Sequence, residues 1–284
     1  MNCIPTDLLA HDTMVRELLR PLLRYLALPG ATEIVVNRPQ QVYIEVGAAW
    51  QHHRSQDLTL DRLTALATAI ATATEQEIGP HHPILSAMLP DGERVQIVLP
   101  PAVELGTISI SIRRPSAWIK TLAEYDAEGA FSRYVWAKAA TLDHRAAELD
   151  SSERQLVQYL THRQLGLFIH AAVLAKKNIA VVGDTGSGKT TLMKSICQAV
   201  PEEERLITIE DVRELLLPQH GNRVHLLYAK GGQGAAAITP SELIASTLRM
   251  KPDRVLLAEL RGGEAFDFLK LLTTGHSGSI TSYH

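Results

Sequence analysis

Apolar and polar positions follow two different patterns along the chain. In residues 14–28, MVRELLRPLLRYLAL, Val15, Leu18, Leu19, Leu22, Leu23 and Leu26 fall on one helical face. Pro21 interrupts that face, so a kink or two short helices is expected, and Pro29-Gly30 ends it. EIVVN (33–37) and VYIEV (42–46) read as strands joined by a turn at 38–41. A helical pattern returns over 58–77. A second strand pair follows, RVQIVL (94–99) and TISISIR (107–113). Strands that alternate apolar and polar, set beside helices, indicate an α+β arrangement. Residues 117–145 carry one or two short helices and no clear strand, and read as a connection between domains.

From residue 152 the pattern changes. Helix 152–175 leads into the short apolar run NIAVV (178–182). A helix from Lys189 follows, then runs at 205–209 (RLITI), 224–228 (VHLLY), 254–258 (RVLLA) and 279–283 (SITSY). Helices at 239–250 and 263–273 separate the later runs, and KGGQGAAA (230–237) reads as a small loop. Wholly apolar strands alternating with helices indicate a parallel sheet covered on both faces. The expected organisation is a smaller α+β domain with its linker over residues 1–138 and an α/β domain over 139–284.

Between the strand at 178–182 and the following helix lies GDTGSGKT, residues 183–190, which fits G-x-x-x-x-G-K-[ST] without departure. Glycines let successive N–H groups turn toward phosphate oxygens, and the helix start adds partial positive charge. Gly183, Asp184, Thr185, Gly186, Ser187 and Gly188 are expected to wrap the phosphates. Lys189 would reach the β and γ phosphates and Thr190 would ligate Mg2+, with Thr191 supporting the α phosphate or the helix start.

Two acidic clusters stand at strand ends. Glu210 and Asp211 follow RLITI, and Glu259 follows RVLLA. In an open parallel sheet ligands bind beyond the carboxyl ends of strands, which is the edge that carries the phosphate loop. Hydrolysis needs a carboxylate to orient water, and magnesium needs oxygen ligands. Glu259 is the candidate water-polarising residue and Glu210 a second candidate acting through the metal's water shell. Asp211 could do either job or cap the following turn. No N-K-x-D sequence follows the loop, which argues against a GTP switch protein.

Composition narrows the classes further. The formal net charge is -3, so no basic excess draws the chain to nucleic acid. Cys3 and Cys197 are too few for a four-cysteine zinc site or a disulfide framework. The N-terminus lacks the basic start and apolar core of a signal peptide, and no apolar run approaches a membrane span, so a cytoplasmic protein is expected.

Four blocks together resemble the secretion-superfamily P-loop ATPases, most closely the traffic ATPases of type IV secretion. They are GDTGSGKTT (183–191), ITIEDVREL (207–215), TLRMKPDRVLLAELRGGEAFDFL (247–269) and TTGHSGSITSYH (273–284). The last two resemble the family's LRM-x-PDR strand with its glutamate and its histidine box. TEIVVN, DGERVQIVLPP and ISIRRPS match more weakly in the first half. The resemblance implies a RecA-like C-terminal domain, ATP with Mg2+, and a homohexamer. It also implies a position at the inner face of the bacterial inner membrane, beside the membrane components of a secretion apparatus.

The resemblance further implies that Arg94 and Arg113 meet the nucleotide phosphates. The alternation of each strand independently places both on polar faces. Arg261 would pair with an acidic group or reach a phosphate. His276 would sense the γ phosphate, couple hydrolysis to movement, or be satisfied by backbone, and His284 is the box's second histidine. Ala258 stands where the family usually has glycine. The chain stops at His284 where the family continues with further helices, so a truncated chain is expected. A nucleic-acid translocase or helicase, and a non-catalytic nucleotide-dependent scaffold, are the alternative functions.

Overall fold

The computed structural model describes residues 6–47, 49–114, 119–137, 146–184, 186–228 and 238–283, with 6–11 and 146 as backbone only. The loop expected at 230–237 lies outside the described residues, as do Thr185, His284 and parts of the 117–145 connection. Two compact units divide the chain, Met1–Pro115 with Leu227–Thr239 and Ser116–Leu226 with Pro240–His284.

The first unit builds a six-stranded sheet. Its elements are α1 (Thr6–Leu26), β1 (Ala31–Arg38), β2 (Gln41–Val46), β3 (Ala49–Arg54), α2 (Leu60–Ala73), β4 (Ile84–Met88), β5 (Arg94–Val98) and β6 (Ser109–Arg113). Strand order is β3-β2-β1-β6-β5-β4, and every pair is antiparallel. Ile34, Ile44, Val95, Ile97, Ile110 and Ile112 share a core with Leu22, Leu63 and Ile70 of the helices.

Helix α1 runs through Pro21 without a break, where the sequence predicts a kink or two helices. Proline has no N–H, so the carbonyl four residues earlier loses its partner. Arg62 of α2 supplies one: its Nη2 donates to the Glu17 carbonyl at 2.5 Å and its Nε to the Leu18 carbonyl at 3.0 Å. Two strands are absent from the sequence reading, β3 and β4. β3 is a sheet edge with nearly every residue exposed, so it carries no alternation to detect.

The second unit contains α3 (Leu122–Ala127), a 3-10 turn (Ala146–Glu148), α4 (Ser151–Thr161), α5 (Leu165–Leu174), β7 (Ile179–Val182) and α6 (Lys189–Cys197). β8 (Leu206–Glu210), β9 (Arg223–Leu227), α7 (Pro240–Thr247), β10 (Arg254–Leu260), α8 (Glu264–Thr273) and β11 (Ile280–Tyr283) follow. The sequence predicts one helix over 152–175; the chain instead turns between α4 and α5, where Arg163 takes a φ of 58°. The sheet order is β7-β11-β10-β8-β9, with β7, β11, β10 and β8 paired in parallel. Leu122 is buried with Val173, Met193 and Leu256 in this unit's core. The segment around α3, which the sequence reading assigns to the first domain through residue 138, therefore packs in the second.

A buried ion pair ties this unit together. Arg254, fully buried at the start of β10, holds Glu204 through Nε (2.6 Å) and Nη2 (3.1 Å) and donates to the Val173 carbonyl at 2.8 Å. A buried charge needs such a partner. This one ties the β10 start to α5 and to the segment before β8.

Candidate active site

Because four strands run in parallel, their carboxyl ends share one edge. Leu257 of β10 pairs in register with Ile209 of β8, and Tyr283 of β11 with Val182 of β7. The phosphate loop leaves β7 there, Glu210 ends β8, and Glu259 lies near the end of β10.

The loop has the backbone that its glycines allow. Gly186 and Gly188 take φ of 77° and 88°, a region other residues rarely enter. A side chain at Gly183 would meet the Ser187 hydroxyl at 2.8 Å, so the turn closes only around glycine. Gly188 stands at the N-cap of α6 with no side-chain cap. The helix start is thus not closed by its own cap, which suits an anion. Lys189 folds back so that Nζ donates to the carbonyls of Gly183 and of Asp184, the latter at 2.8 Å. Thr190 and Thr191 follow in the first turn of α6, both partly buried.

The two acidic clusters prove unlike. Glu210 is buried, and both carboxylate oxygens are engaged inside the chain. Oε2 accepts from the N–H groups of Glu214 (2.7 Å) and Leu215 (2.8 Å). Oε1 accepts from the Thr208 hydroxyl at 2.8 Å, with His225 Nδ1 at 3.4 Å. Glu259 instead lies partly open. Arg261 grips its Oε2 through Nε at 2.8 Å and also through Nη2, while Nη1 reaches Asp211 Oδ2 at 2.8 Å. Burial opposes the guanidinium's charge, but the two carboxylates outweigh it and raise its pKa above the ordinary value. Glu264 accepts from the N–H groups of Arg261 (2.6 Å) and Gly262 (2.9 Å), fixing the turn that carries the arginine into α8.

His276 lies partly buried in the turn before β11, its Nδ1 at 3.3 Å from the Thr274 hydroxyl. In the first unit, Arg94 of β5 and Arg113 of β6 are cross-strand partners, and Glu33 of β1 is the next partner of Arg113. Both arginines alternate with buried apolar residues, as their strands predict. Arg261 pairs with acidic groups, one of the two roles expected of it, and bridges Asp211 and Glu259. Sequence reasoning missed the Glu264 clamp and the Thr208–His225 pair on Glu210. No spacing in the sequence announces that β8 and β9 are neighbours, so His225 carried no signal.

Among the described residues no cluster of three His, Cys, Asp or Glu side chains could hold a metal by itself. The donors on hand fit an ion held chiefly by nucleotide oxygens and water, with one hydroxyl, that of Thr190, from the protein.

A glycine-shaped phosphate loop between a parallel strand and a helix, on the same sheet edge as strand-end carboxylates, defines a P-loop nucleotide hydrolase. The chain belongs to the family described as type II/IV secretion system proteins, whose model matches residues 16–284. It is 45% identical over 268 residues to the type IV secretion system protein VirB11 of Brucella suis biovar 1, covering 94% of this chain and 72% of that protein. It is 45% identical over 269 residues to the type IV secretion system protein PtlH of Bordetella pertussis, covering 94% of this chain and 76% of the relative. The solved Legionella pneumophila ATPase DotB shares the RecA-like fold, with a TM-score of 0.59 at 17% identity over 95% of this chain and 66% of that one. The chain is accordingly a secretion ATPase, with a nucleoside triphosphate as its substrate.

Proposed function

We propose that the chain forms a homohexamer that couples Mg-ATP hydrolysis to substrate transport or pilus assembly in a type IV secretion apparatus. It would work at the cytoplasmic face of the inner membrane, beside the apparatus's membrane components. Two observations support that placement. The chain is similar to VirB11 and PtlH over almost its whole length. Among the described residues no helix is long and apolar enough to cross a membrane.

The observation that carries the chemistry is the arrangement of loop and carboxylates on one sheet edge. Phosphoryl transfer to water asks mainly for positioning and charge neutralisation. Residues Gly183 to Thr191 wrap the phosphates. Lys189 exchanges its two backbone carbonyls for phosphate oxygens when nucleotide binds. Thr190, with the oxygens of the nucleotide, would hold Mg2+, and the ion when bound would supply neutralisation of the developing charge. Glu259 orients the attacking water, and Arg261 sets its carboxylate. Glu210, buried with two backbone N–H groups on one oxygen and the Thr208 hydroxyl on the other, acts by shaping the turn rather than by ligating the metal. His276 senses the γ phosphate.

Steady-state phosphate release with Mg-ATP, beside mass in solution with and without nucleotide, tests this reading. Hydrolysis by a species six times the 31.2 kDa chain is expected. Normal turnover in Lys189→Ala would sink it.

A further inference from the structure

Buried against Glu210 is a short chain of polar groups that the hydrolytic chemistry does not itself require. Thr208, on β8, is fully buried, and its Oγ1 lies 2.8 Å from Glu210 Oε1 and 2.8 Å from His225 Nδ1 of β9. A hydroxyl has a single proton. The carboxylate can only accept, so the Thr208 proton goes to Glu210. The contact with His225 then requires Nδ1–H to donate to Thr208. This direction fixes the imidazole with its proton on Nδ1. Its Nε2 is buried and has no partner among the described residues.

The chain continues past Glu210. The carboxylate's other oxygen gathers the N–H groups of Glu214 and Leu215, closing the turn that follows β8. Asp211 lies inside that turn, and its Oδ2 receives Arg261 Nη1. Arg261 in turn grips Glu259. A carboxylate free to swing on Glu210 would loosen the turn, and Arg261 would then hold Glu259 from one side only.

We infer that Thr208 and His225 are positioning residues of the hydrolytic site. They orient Glu210 so that the 210–215 turn presents Asp211 to Arg261, and thereby set the aim of Glu259. The inference rests on the reading of Glu259 as the water-orienting group. It assigns a function to two strand side chains that lie outside the phosphate loop.

The test is made in the full chain, with Thr208→Val, which keeps shape and removes the hydroxyl, and Thr208→Ser, which restores it. Outer-shell partners of this kind are worth about 10- to 100-fold in activity. Thr208→Val is expected to lower kcat about tenfold, within that range, while the Kd for a fluorescent ADP analogue and the KM for ATP stay unchanged. Thr208→Ser should recover most of the loss. His225→Phe, which keeps a ring at this largely buried position and removes both nitrogens, should repeat the kcat loss. In an Arg261→Ala background Thr208→Val should add nothing, because the effect runs through Arg261.

Unchanged kcat in both Thr208→Val and His225→Phe overturns the inference. So does a parallel loss of nucleotide affinity and melting temperature without rescue by serine, which would mark a merely structural role. Glu259→Gln is measured alongside. Wild-type turnover there would remove the reading of Glu259 itself, whatever Thr208 does.

Discussion

The ends of β8 and β10 carry glutamates that look equivalent along the chain, each following an apolar strand on the same sheet edge. In the fold they are opposites. Glu210 is enclosed, with two backbone N–H groups, a threonine hydroxyl and a histidine around its two oxygens. Glu259 is partly open and answers to one arginine that it shares with Asp211. A carboxylate whose acceptor sites are filled by the protein builds structure. One held at a single oxygen by an arginine keeps an oxygen for water. Position on the edge selects candidates for chemistry, and the count of satisfied lone pairs separates them.

The comparison breaks most visibly in turnover. Glu259→Gln is expected to lower kcat about 10³-fold, the scale of a lost general base, against about tenfold for Glu210→Gln, the scale of a lost positioning group. Phosphate release in parallel preparations reads both. Stability should run the other way. An amide at Glu210 cannot accept at both of its ends, so Glu210→Gln should cost about 2 kcal/mol. Glu259→Gln, at a half-open site, should stay within about 0.5 kcal/mol of the parent. Denaturant melts decide this pair. Asp211→Asn removes the carboxylate through which the 210–215 turn reaches Arg261, so a drop in kcat of about tenfold, matching that of Thr208→Val, with unchanged KM is expected from the same assay. The smallest effect concerns Cys197. It is buried, and burial, with the charge of Glu210 adding, pushes its thiol up to about 12. It should stay unlabelled by a thiol reagent at pH 8 until the chain is unfolded, as mass spectrometry would show.

Much of this was legible in the residues themselves. RLITI and RVLLA announced parallel strands because both faces of each are covered, leaving no polar alternation to mistake. NIAVV was legible from its apolar run alone, although Ala180 and Val182 of this sheet-edge strand are exposed. Arg94 and Arg113 announced their faces through strict alternation with Val95, Ile97, Ile110 and Ile112. The phosphate loop was legible because glycine spacing and the lysine are local properties. The losses were of two physical kinds. An edge strand such as β3, exposed on both faces, has no periodic burial to impose a pattern. Partners brought together by topology, such as Arg62 beneath Pro21 or His225 beside Thr208, have no fixed spacing in sequence. Pro21 was therefore read as a break although the fold replaces the N–H it lacks. Glu210 was read as acting through the metal's water shell, and nothing in its spacing showed that Thr208, Glu214 and Leu215 would gather on its two oxygens.

The most direct measurement is the fate of ATP bound to Glu259→Gln. The variant is incubated with labelled Mg-ATP, the bound nucleotide is recovered by rapid filtration, and its phosphates are resolved. The account expects Kd close to that of the parent chain and the label recovered as intact ATP, held and uncleaved. Recovery as ADP at the parent's rate would contradict it, and the water-orienting group would have to be sought elsewhere on the edge.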